Sequence, residues 1–319
     1  MKKTAIFAAA ALALGLLSGC AADKPAKSDK LSVVTTIFPA YDMARQVFGD
    51  SAEVTLLLKP GTESHSYDPS AKDIVKISGC DLFIYNGGGS DEWVSGIIES
   101  ADIPNTLRMM DCVEAIGEEF VDGMEHDHAH DGHDDHDDHS DEYDEHIWTS
   151  PKNAAKICEA VKQAACRTAP DKAEEFTAAA DEYIAQINAL DADFAELLDG
   201  CEKYFVFGDR FPLLYFFREY GLKYYAAFPG CGSEVEPSAQ TVAFLLDRLA
   251  EDDTLKTVFY IELSNHKLAD TLAADSGTKT ALFHTCHNIS ADDFAAGESY
   301  VSLMRKNYDT IKEALNGTD

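Results

Sequence analysis

The sequence predicts an α/β protein with two lobes, each built on a parallel, (βα)4-like sheet, and one long helix that bridges them. Short runs rich in β-branched and aromatic residues alternate with segments of helical periodicity over residues 31–110 and again over residues 204–315. Strands separated by helices pair in parallel through right-handed crossovers. Between these regions the apolar residues show helical spacing alone. These observations predict two similar lobes that flank a helical connection.

The first lobe is predicted to span residues 31–150. Its predicted strands are residues 31–36, 53–58, 82–86 and 105–110. Its predicted helices are residues 39–48, 70–78 and 92–100. Residues 59–69, which contain Gly, Ser, Thr and two prolines, form a predicted loop after the second strand.

The helical connection is predicted to span residues 151–200. Its apolar residues recur at helical spacing over 154–165 and then, after Pro170, in a long run that Gly200 ends. A helix of ~30 residues is ~45 Å long. That length is more than one domain needs and suits a rigid spacer between two lobes.

The second lobe is predicted to span residues 201–319. Its predicted strands are residues 204–207, 222–228, 257–262 and 279–283. Its predicted helices are residues 212–219, 237–251, 265–275 and 300–315. Open α/β sheets bind ligands outside the carboxyl ends of their strands. We therefore expect a cleft where two such edges face each other.

The amino-terminal 30 residues have the pattern of an export signal and a tether. Two lysines precede an apolar run over residues 5–17, which is too short to span a bilayer permanently. The run ends in Leu-Ser-Gly-Cys20, which resembles the bacterial lipobox; a plain signal peptide with an incidental cysteine is the alternative. The pattern predicts cleavage after residue 19, a lipid anchor on Cys20, a flexible tether over residues 20–30, and a place on the extracytoplasmic face of the cell membrane.

Charge and histidine content point to cations as ligands. The formal net charge of −31 and the pI of about 4.5 exclude nucleic-acid binding as the main function. Residues 122–145 alternate histidines with carboxylates and have little to bury. The histidines predicted to capture metal there are His126, His128, His130, His133, His136 and His139. Imidazole suits Zn²⁺, Cu²⁺ and Ni²⁺; a solvated acidic linker is the alternative reading.

Three further histidines lie where the cleft is expected. His65 follows the second strand, His146 precedes the helical connection, and His284 ends the last strand. Because the carboxyl ends of the strands in both lobes face the cleft, these three are the predicted metal ligands.

At this point the sequence resembles the zinc/manganese substrate-binding lipoproteins of bacterial ABC importers, over essentially the whole mature chain. The resemblance rests on Lys59-Pro60-Gly61, His65-Ser66-Tyr67-Asp68-Pro69-Ser70, Ile84-Tyr85-Asn86-Gly87, His146-Ile147-Trp148-Thr149-Ser150-Pro151 and Glu236-Pro237-Ser238. It implies a monomeric, non-enzymatic protein that binds one metal ion between its lobes. It also implies delivery of the ion to a permease that works with an ATPase subunit.

One ligand of the family does not carry over. Members usually have a histidine in a Phe-His-Asp motif, where this chain has Phe207-Gly208-Asp209, so Gly208 is predicted to hold the ligand position without a side chain. Where the family usually has an aspartate after its last strand, this chain has His284. The candidates for a fourth ligand are His287, Asp209, Glu236, Glu262, Cys286 and water.

Three imidazoles favour Zn²⁺, whereas Mn²⁺ prefers more carboxylate ligands. A zinc-dependent surface hydrolase is a competing class, with Glu262 or Glu236 as the base, although no His-Glu-x-x-His signature is present. A passive zinc buffer or adhesin is a third class, but a buffer needs no cleft.

Seven cysteines remain after Cys20, and both Cys231 and Cys286 follow strands of the second lobe. A disulfide between these two is predicted at the cleft edge; two independent buried thiols are the alternative.

Overall fold

Four parallel strands form the sheet of the first lobe. The computed structural model describes residues 30–62, 67–101, 103, 105–125, 143–230 and 236–317. The strands are β1 (Leu31–Thr35), β2 (Ala52–Leu56), β3 (Leu82–Tyr85) and β4 (Thr106–Arg108). Their order is β2-β1-β3-β4. The helices are α1 (Phe38–Phe48), α2 (Ala71–Ser78) and α3 (Trp93–Ser100). All seven elements lie where the sequence predicted them.

Two helices follow the first lobe, in the two segments where the sequence shows helical spacing. They are α4 (Pro151–Thr168) and α5 (Ala173–Leu198). The hydroxyl of Ser150 accepts the backbone N–H of Asn153 and caps α4, which begins with Pro151. Helix α5 has 26 residues and is therefore ~39 Å long, somewhat shorter than predicted.

Helix α5 bridges the lobes through one apolar face. It packs against α1 of the first lobe and against α10 (Tyr300–Asn316) of the second. Its buried side chains are Phe176, Ala180, Tyr183, Ile187, Leu190, Phe194 and Leu198. Truncating a buried phenylalanine such as Phe194 to alanine costs about 3–5 kcal/mol of stability. The packing of this face therefore contributes strongly to the stability of the fold.

The second lobe repeats the first. Its strands are β5 (Tyr204–Phe211), β6 (Lys223–Pro229), β7 (Thr254–Ile261) and β8 (Lys279–Phe283). They are parallel in the order β6-β5-β7-β8. Its other helices are α6 (Leu214–Tyr220), α7 (Ala239–Ala250), α8 (Lys267–Ser276) and α9 (Ala291–Ala296). The two parallel sheets with their helices confirm the predicted α/β class.

Two features of the second lobe differ from the sequence prediction. Strand β5 continues four residues beyond Phe207, because its pairing with β6 resumes at Arg210 after a shift in register. The short helix α9 was not predicted; the Ser290 hydroxyl caps its start and Gly297, at φ 78°, ends it. Within the described residues, no helix is both apolar enough and long enough to cross a membrane.

Candidate metal centre

A cavity of about 30 Å³ lies between the two lobes, at the carboxyl ends of their strands. The residues that line it are Thr62, His146, Arg210, Pro212, Gly230, Ile261, Glu262, Leu263, Thr285, His287 and Asn288. One water-sized group needs about 10–15 Å³ of such space, so the cavity holds about two of them. Sites for organic ligands are larger, at about 300–1,000 Å³. The cavity therefore suits a single ion.

His146 is the histidine that the first lobe contributes to this cavity. Its side chain is fully buried. Asp144 Oδ1 accepts the backbone N–H of His146 at 2.7 Å and lies 3.1 Å from its Nδ1. Because a carboxylate only accepts, Nδ1 carries the proton in this contact, and Nε2 keeps its lone pair for a metal ion. Burial by itself lowers the pKa of His146, but the carboxylates of Asp144, Glu145 and Glu118, with Asp144 foremost, together raise that pKa above its ordinary value.

Asp144 is held in place by its own backbone contacts. Its N–H donates to the carbonyl oxygen of Ile116 at 3.0 Å, and the Tyr215 hydroxyl donates to its carbonyl oxygen at 3.0 Å. The same hydroxyl accepts the N–H of Ile116. These contacts fix the Asp144 carboxylate beside His146, so the orientation of the imidazole is built into the fold.

His287 is the histidine that the second lobe contributes. Its ring centre lies 5.3 Å from that of His146, with the ring planes at 80°. Two imidazoles bound to one tetrahedral Zn²⁺ at about 2.1 Å place their ring centres roughly 5 Å apart. The ring also packs 4.9 Å from that of Trp148, whose Nε1–H donates to the carbonyl oxygen of Thr285 at 2.9 Å. The structure thus brings His146 and His287 together across the cleft.

His284 does not line this cavity. Its Nδ1 accepts the backbone N–H of Cys286 at 2.9 Å. Its own backbone N–H donates to Asn307 Oδ1, and its carbonyl oxygen accepts from Asn307 Nδ2, both at 2.7 Å. In the neutral ring the proton is then on Nε2, so no nitrogen lone pair is available to an ion. The geometry favours His287 over His284, the reverse of the order that the sequence suggested.

Of the predicted carboxylate candidates, Glu262 is the one that lines the cavity. Its two oxygens accept the N–H and the hydroxyl of Thr285 at 2.7 and 2.5 Å. Asp209 instead accepts the backbone N–H groups of Arg210 and Ile261 at 2.8 and 3.1 Å, and burial raises its pKa. Asp209 and Glu236 line a neighbouring cavity of about 370 Å³.

Gly208, which the resemblance places at a ligand position of the family, lies against a helix of the second lobe. A Cβ built on Gly208 would lie 2.7 Å from the Cα of Ala269 in α8. The position therefore faces that helix and leaves no room for a side chain. Arg210, which follows the shift in register after Phe207, is one of the residues that line the cavity.

Comparisons with known proteins place this geometry in a family. The family model described as "Zinc-uptake complex component A periplasmic" matches residues 33–314. The chain belongs to this zinc-uptake family. It is 33% identical over 319 residues to the zinc-binding lipoprotein AdcA of Streptococcus pneumoniae serotype 4, across 99% of this chain and 62% of that protein. It is 32% identical to the high-affinity zinc uptake system protein ZnuA of Bacillus subtilis, across 91% of this chain and 89% of that protein.

Solved structures of the family show the same architecture. The Zn(II)-bound ZnuA-like domain of Streptococcus pneumoniae AdcA matches with a TM-score of 0.72 and 31% identity, over 89% of this chain and 98% of that one. The metal-dependent lipoprotein YcdH of Bacillus subtilis matches with a TM-score of 0.74 and 27% identity, over 89% and 99%. The chain spans about 62% of the length of the AdcA proteins from S. pneumoniae that it matches.

Several residues that the sequence singled out lie outside the described part of this zinc-uptake family member. They are Cys20, His65, Cys231 and the loop histidines His126, His128, His130, His133, His136 and His139. Thr62, three residues before His65, lines the cavity. Among the described residues, no three His, Cys, Asp or Glu side chains group as a metal site. Two imidazoles are thus in place in the described part of the cavity, and the ligands that complete it stay predictions.

Cys231, one half of the predicted disulfide, lies outside the described residues, so the pairing stays a prediction. Cys286 is a free thiol with no exposed surface, packed in the main hydrophobic core rather than at the cleft edge. Burial raises its pKa well above the ordinary value, so the thiol stays protonated.

Sequence reasoning missed the residues that support the two histidines. Asp144 stands two residues before His146, and a carboxylate so close to a predicted ligand is the signal that could have revealed it. The Asn288 side-chain amide donates to the carbonyl oxygens of Lys59 and Thr62 at 3.0 and 2.6 Å, which ties the first lobe to the residue after His287. No sequence pattern indicates that contact.

Replacing Asp144 with asparagine tests its role in orienting His146. We expect D144N to weaken Zn²⁺ binding about 10- to 100-fold, because the amide no longer fixes the proton on Nδ1. The pKa of His146 should also fall, so the pH below which protons weaken Zn²⁺ binding should be lower in D144N than in the wild type. Affinity measured against pH by competition with a chelator checks both effects. Unchanged affinity with unchanged pH dependence would show that Asp144 only supports the backbone.

Proposed function

We propose that this protein is the Zn²⁺-binding component of a bacterial ABC importer. It captures the ion in the interlobe cavity and delivers it to a permease that works with an ATPase subunit. The single observation that supports this is an ion-sized cavity with one buried imidazole from each lobe, His146 and His287. The zinc-related names of the relatives agree with it.

The proposed first ligands are His146 and His287. His65 remains a proposed ligand by the sequence argument, since it lies in the predicted loop of residues 59–69, from which Thr62 reaches the cavity. Glu262 or a water molecule takes the fourth position. This donor set suits Zn²⁺, which binds imidazole in tetrahedral geometry, better than Mn²⁺, which favours oxygen ligands and a higher coordination number.

The same geometry argues for a binding protein over an enzyme. A zinc hydrolase needs an open metal position, a general base and room for its substrate. The cavity of about 30 Å³ has no room for a peptide or an ester, and both oxygens of Glu262 are bonded to Thr285. We also propose that the protein acts as a monomer. From the lipobox-like sequence we propose that it is anchored through lipidated Cys20 on the extracytoplasmic face of the membrane.

Competitive metal titration tests this function. Purified mature protein is titrated with Zn²⁺ in the presence of Mn²⁺ and of a chelator of known affinity. We expect one tight Zn²⁺ equivalent that excess Mn²⁺ does not displace. Preferential retention of Mn²⁺ would assign the manganese alternative, and hydrolysis of ester or peptide substrates by the zinc form would contradict a binding role.

Deleting residues 126–142 separates the loop from the cavity. The residues on either side are anchored, since the N–H of Glu125 donates to the carbonyl oxygen of Ala227 at 2.9 Å and Tyr143 pairs with Gly117. We expect the deletion to remove the weaker Zn²⁺ equivalents and to keep the tight one, because His146 and His287, which line the cavity, both lie outside the deleted residues. Isothermal titration of both proteins counts the equivalents. Loss of the tight one would place the main site in the loop.

A further inference from the structure

A turn of the first lobe separates the ion-sized cavity from solvent. In residues 59–62, which read Lys-Pro-Gly-Thr, the N–H of Thr62 donates to the carbonyl oxygen of Lys59 at 3.1 Å. Proline in the second position and glycine in the third, here with Gly61 at φ 81°, suit a type II turn. Thr62 lines the cavity, yet Lys59, Gly61 and Thr62 are all exposed to solvent. The turn is therefore an outer wall of the cavity.

Asn288 of the second lobe binds this turn from the inner side. It is 3% exposed and lines the same cavity. Its amide nitrogen donates to the carbonyl oxygens of Lys59 at 3.0 Å and Thr62 at 2.6 Å, and its Oδ1 accepts the N–H of Ile289 at 2.8 Å. The N–H of Gly61 donates to the carbonyl oxygen of Ile289 at 2.7 Å. One buried, neutral side chain thus joins the wall of the first lobe to the second lobe.

The lobes are joined a second time beside helix α5, away from the cavity. Asp42 of α1 accepts the backbone N–H of Tyr300 in α10 at 2.9 Å and also the hydroxyl of Tyr183 in α5. Arg45 of α1 donates to the carbonyl oxygen of Glu298 at 2.6 Å. None of these five residues lines the cavity. If the contact at Asn288 loosens, this second connection still holds the lobes together.

We propose that Asn288 is a positioning residue that keeps the wall of the cavity closed over the bound ion and so limits the rate at which the ion leaves. Local opening of a folded protein starts where few contacts are buried and the backbone is exposed, which describes the turn of residues 59–62. The inference rests on the proposed zinc-binding function. It adds the residue that sets the balance between retention and release.

Two neutral substitutions test the inference. N288A and N288L remove the amide without placing a charge beside the ion. N105A is the matched control, because the Asn105 amide also donates to a carbonyl oxygen, that of Asp81 at 3.1 Å, but within the first lobe. Zn²⁺ release is measured by stopped flow with an excess of chelator, and affinity by chelator competition. We expect both Asn288 variants to release Zn²⁺ about tenfold faster and to bind it more weakly by the same factor, ~1.4 kcal/mol.

Hydrogen exchange in the metal-free proteins reports the contact without any metal. The N–H of Gly61 donates across the lobes at the cavity, and the N–H of Tyr300 donates across them beside α5. In N288A and N288L we expect exchange of the Gly61 N–H to be about tenfold faster, since the turn opens more often. Exchange of the Tyr300 N–H should stay at the wild-type rate, and N105A should resemble the wild type in every measurement.

The pattern of the results separates a positioning role from a structural one. Equal acceleration of exchange at Gly61 and Tyr300 would mean that Asn288 only stabilises the fold, and it overturns the inference. So does wild-type exchange at Gly61, or wild-type release of Zn²⁺ from folded variants. Failure of both Asn288 variants to fold, checked by thermal unfolding, also overturns it. If the wild type binds no Zn²⁺, the proposed function fails. If the wild type binds one equivalent and both variants release it no faster, this inference alone fails.

Discussion

His146→Ala should abolish tight Zn²⁺ binding. Removing a residue that only supports a metal ligand lowers affinity by up to about 100-fold, and we expect a larger loss here. The variant removes the imidazole whose Nε2 lone pair is kept available by the proton that Nδ1 shares with Asp144. It also leaves the Asp144 carboxylate buried without its side-chain partner, so some loss of stability accompanies the loss of binding. Chelator competition on the purified, folded variant measures the affinity.

His266→Ala is the matched control for that variant. His266 is also an imidazole beside a carboxylate, with its Nδ1 3.0 Å from Asp270, but its side chain is half exposed and lies outside the ion-sized cavity. We expect H266A to bind Zn²⁺ like the wild type. If both variants retained tight binding, His146 would not be a ligand and the cavity would not be the metal site.

The pH dependence of binding follows from the same contact. Asp144 raises the pKa of His146, so a proton competes with the metal ion at a higher pH than at an ordinary histidine. Affinity should therefore begin to fall above the ordinary value of 6.5 as the pH decreases. The stability of the metal-free protein changes in the opposite direction with pH. At low pH the protonated His146 and the Asp144 carboxylate form a charged pair that stabilises the fold, and this contribution is lost as the pH rises through the pKa of folded His146. Titrations between about pH 8 and pH 5 check both directions.

Much of the fold could be predicted because each lobe repeats one local pattern. All eight strands carry apolar or β-branched runs, as in residues 82–85 and 279–283, and the helices between them require parallel pairing. The extension of β5 through Gly208 could not be predicted. It depends on pairing between β5 and β6 after a shift in register, which is a contact between distant residues and leaves no local signal.

The sequence indicates the edge of each sheet at which a site is expected, but it does not decide between neighbouring side chains at that edge. The rule that ligands bind at the carboxyl ends of strands pointed to the segment after β8. Within that segment Cys286 has a φ of 62°, a conformation that residues other than glycine rarely adopt. This turn ends the alternation of side chains along β8, so strand periodicity cannot tell whether His284 or His287 faces the cleft.

A paired substitution of these two histidines decides between the geometry and the sequence prediction. We expect His287→Ala to weaken Zn²⁺ binding more than about 100-fold, because it removes the imidazole that faces His146 across the cavity. We expect His284→Ala to weaken binding less and to lower stability by about 1 kcal/mol, since it removes an acceptor for the backbone N–H of Cys286.

Each variant is the control for the other, because both lie in the turn after β8 and both are nearly buried. Zn²⁺ affinity and the free energy of unfolding of the metal-free protein are measured for both. A large loss of affinity in H287A with a mainly structural effect in H284A would assign the ligand to His287. The reverse order would restore His284 as the ligand. It would also mean that the turn around Cys286 rearranges on metal binding, because the His284 Nδ1 lone pair is committed to the Cys286 N–H in the metal-free geometry.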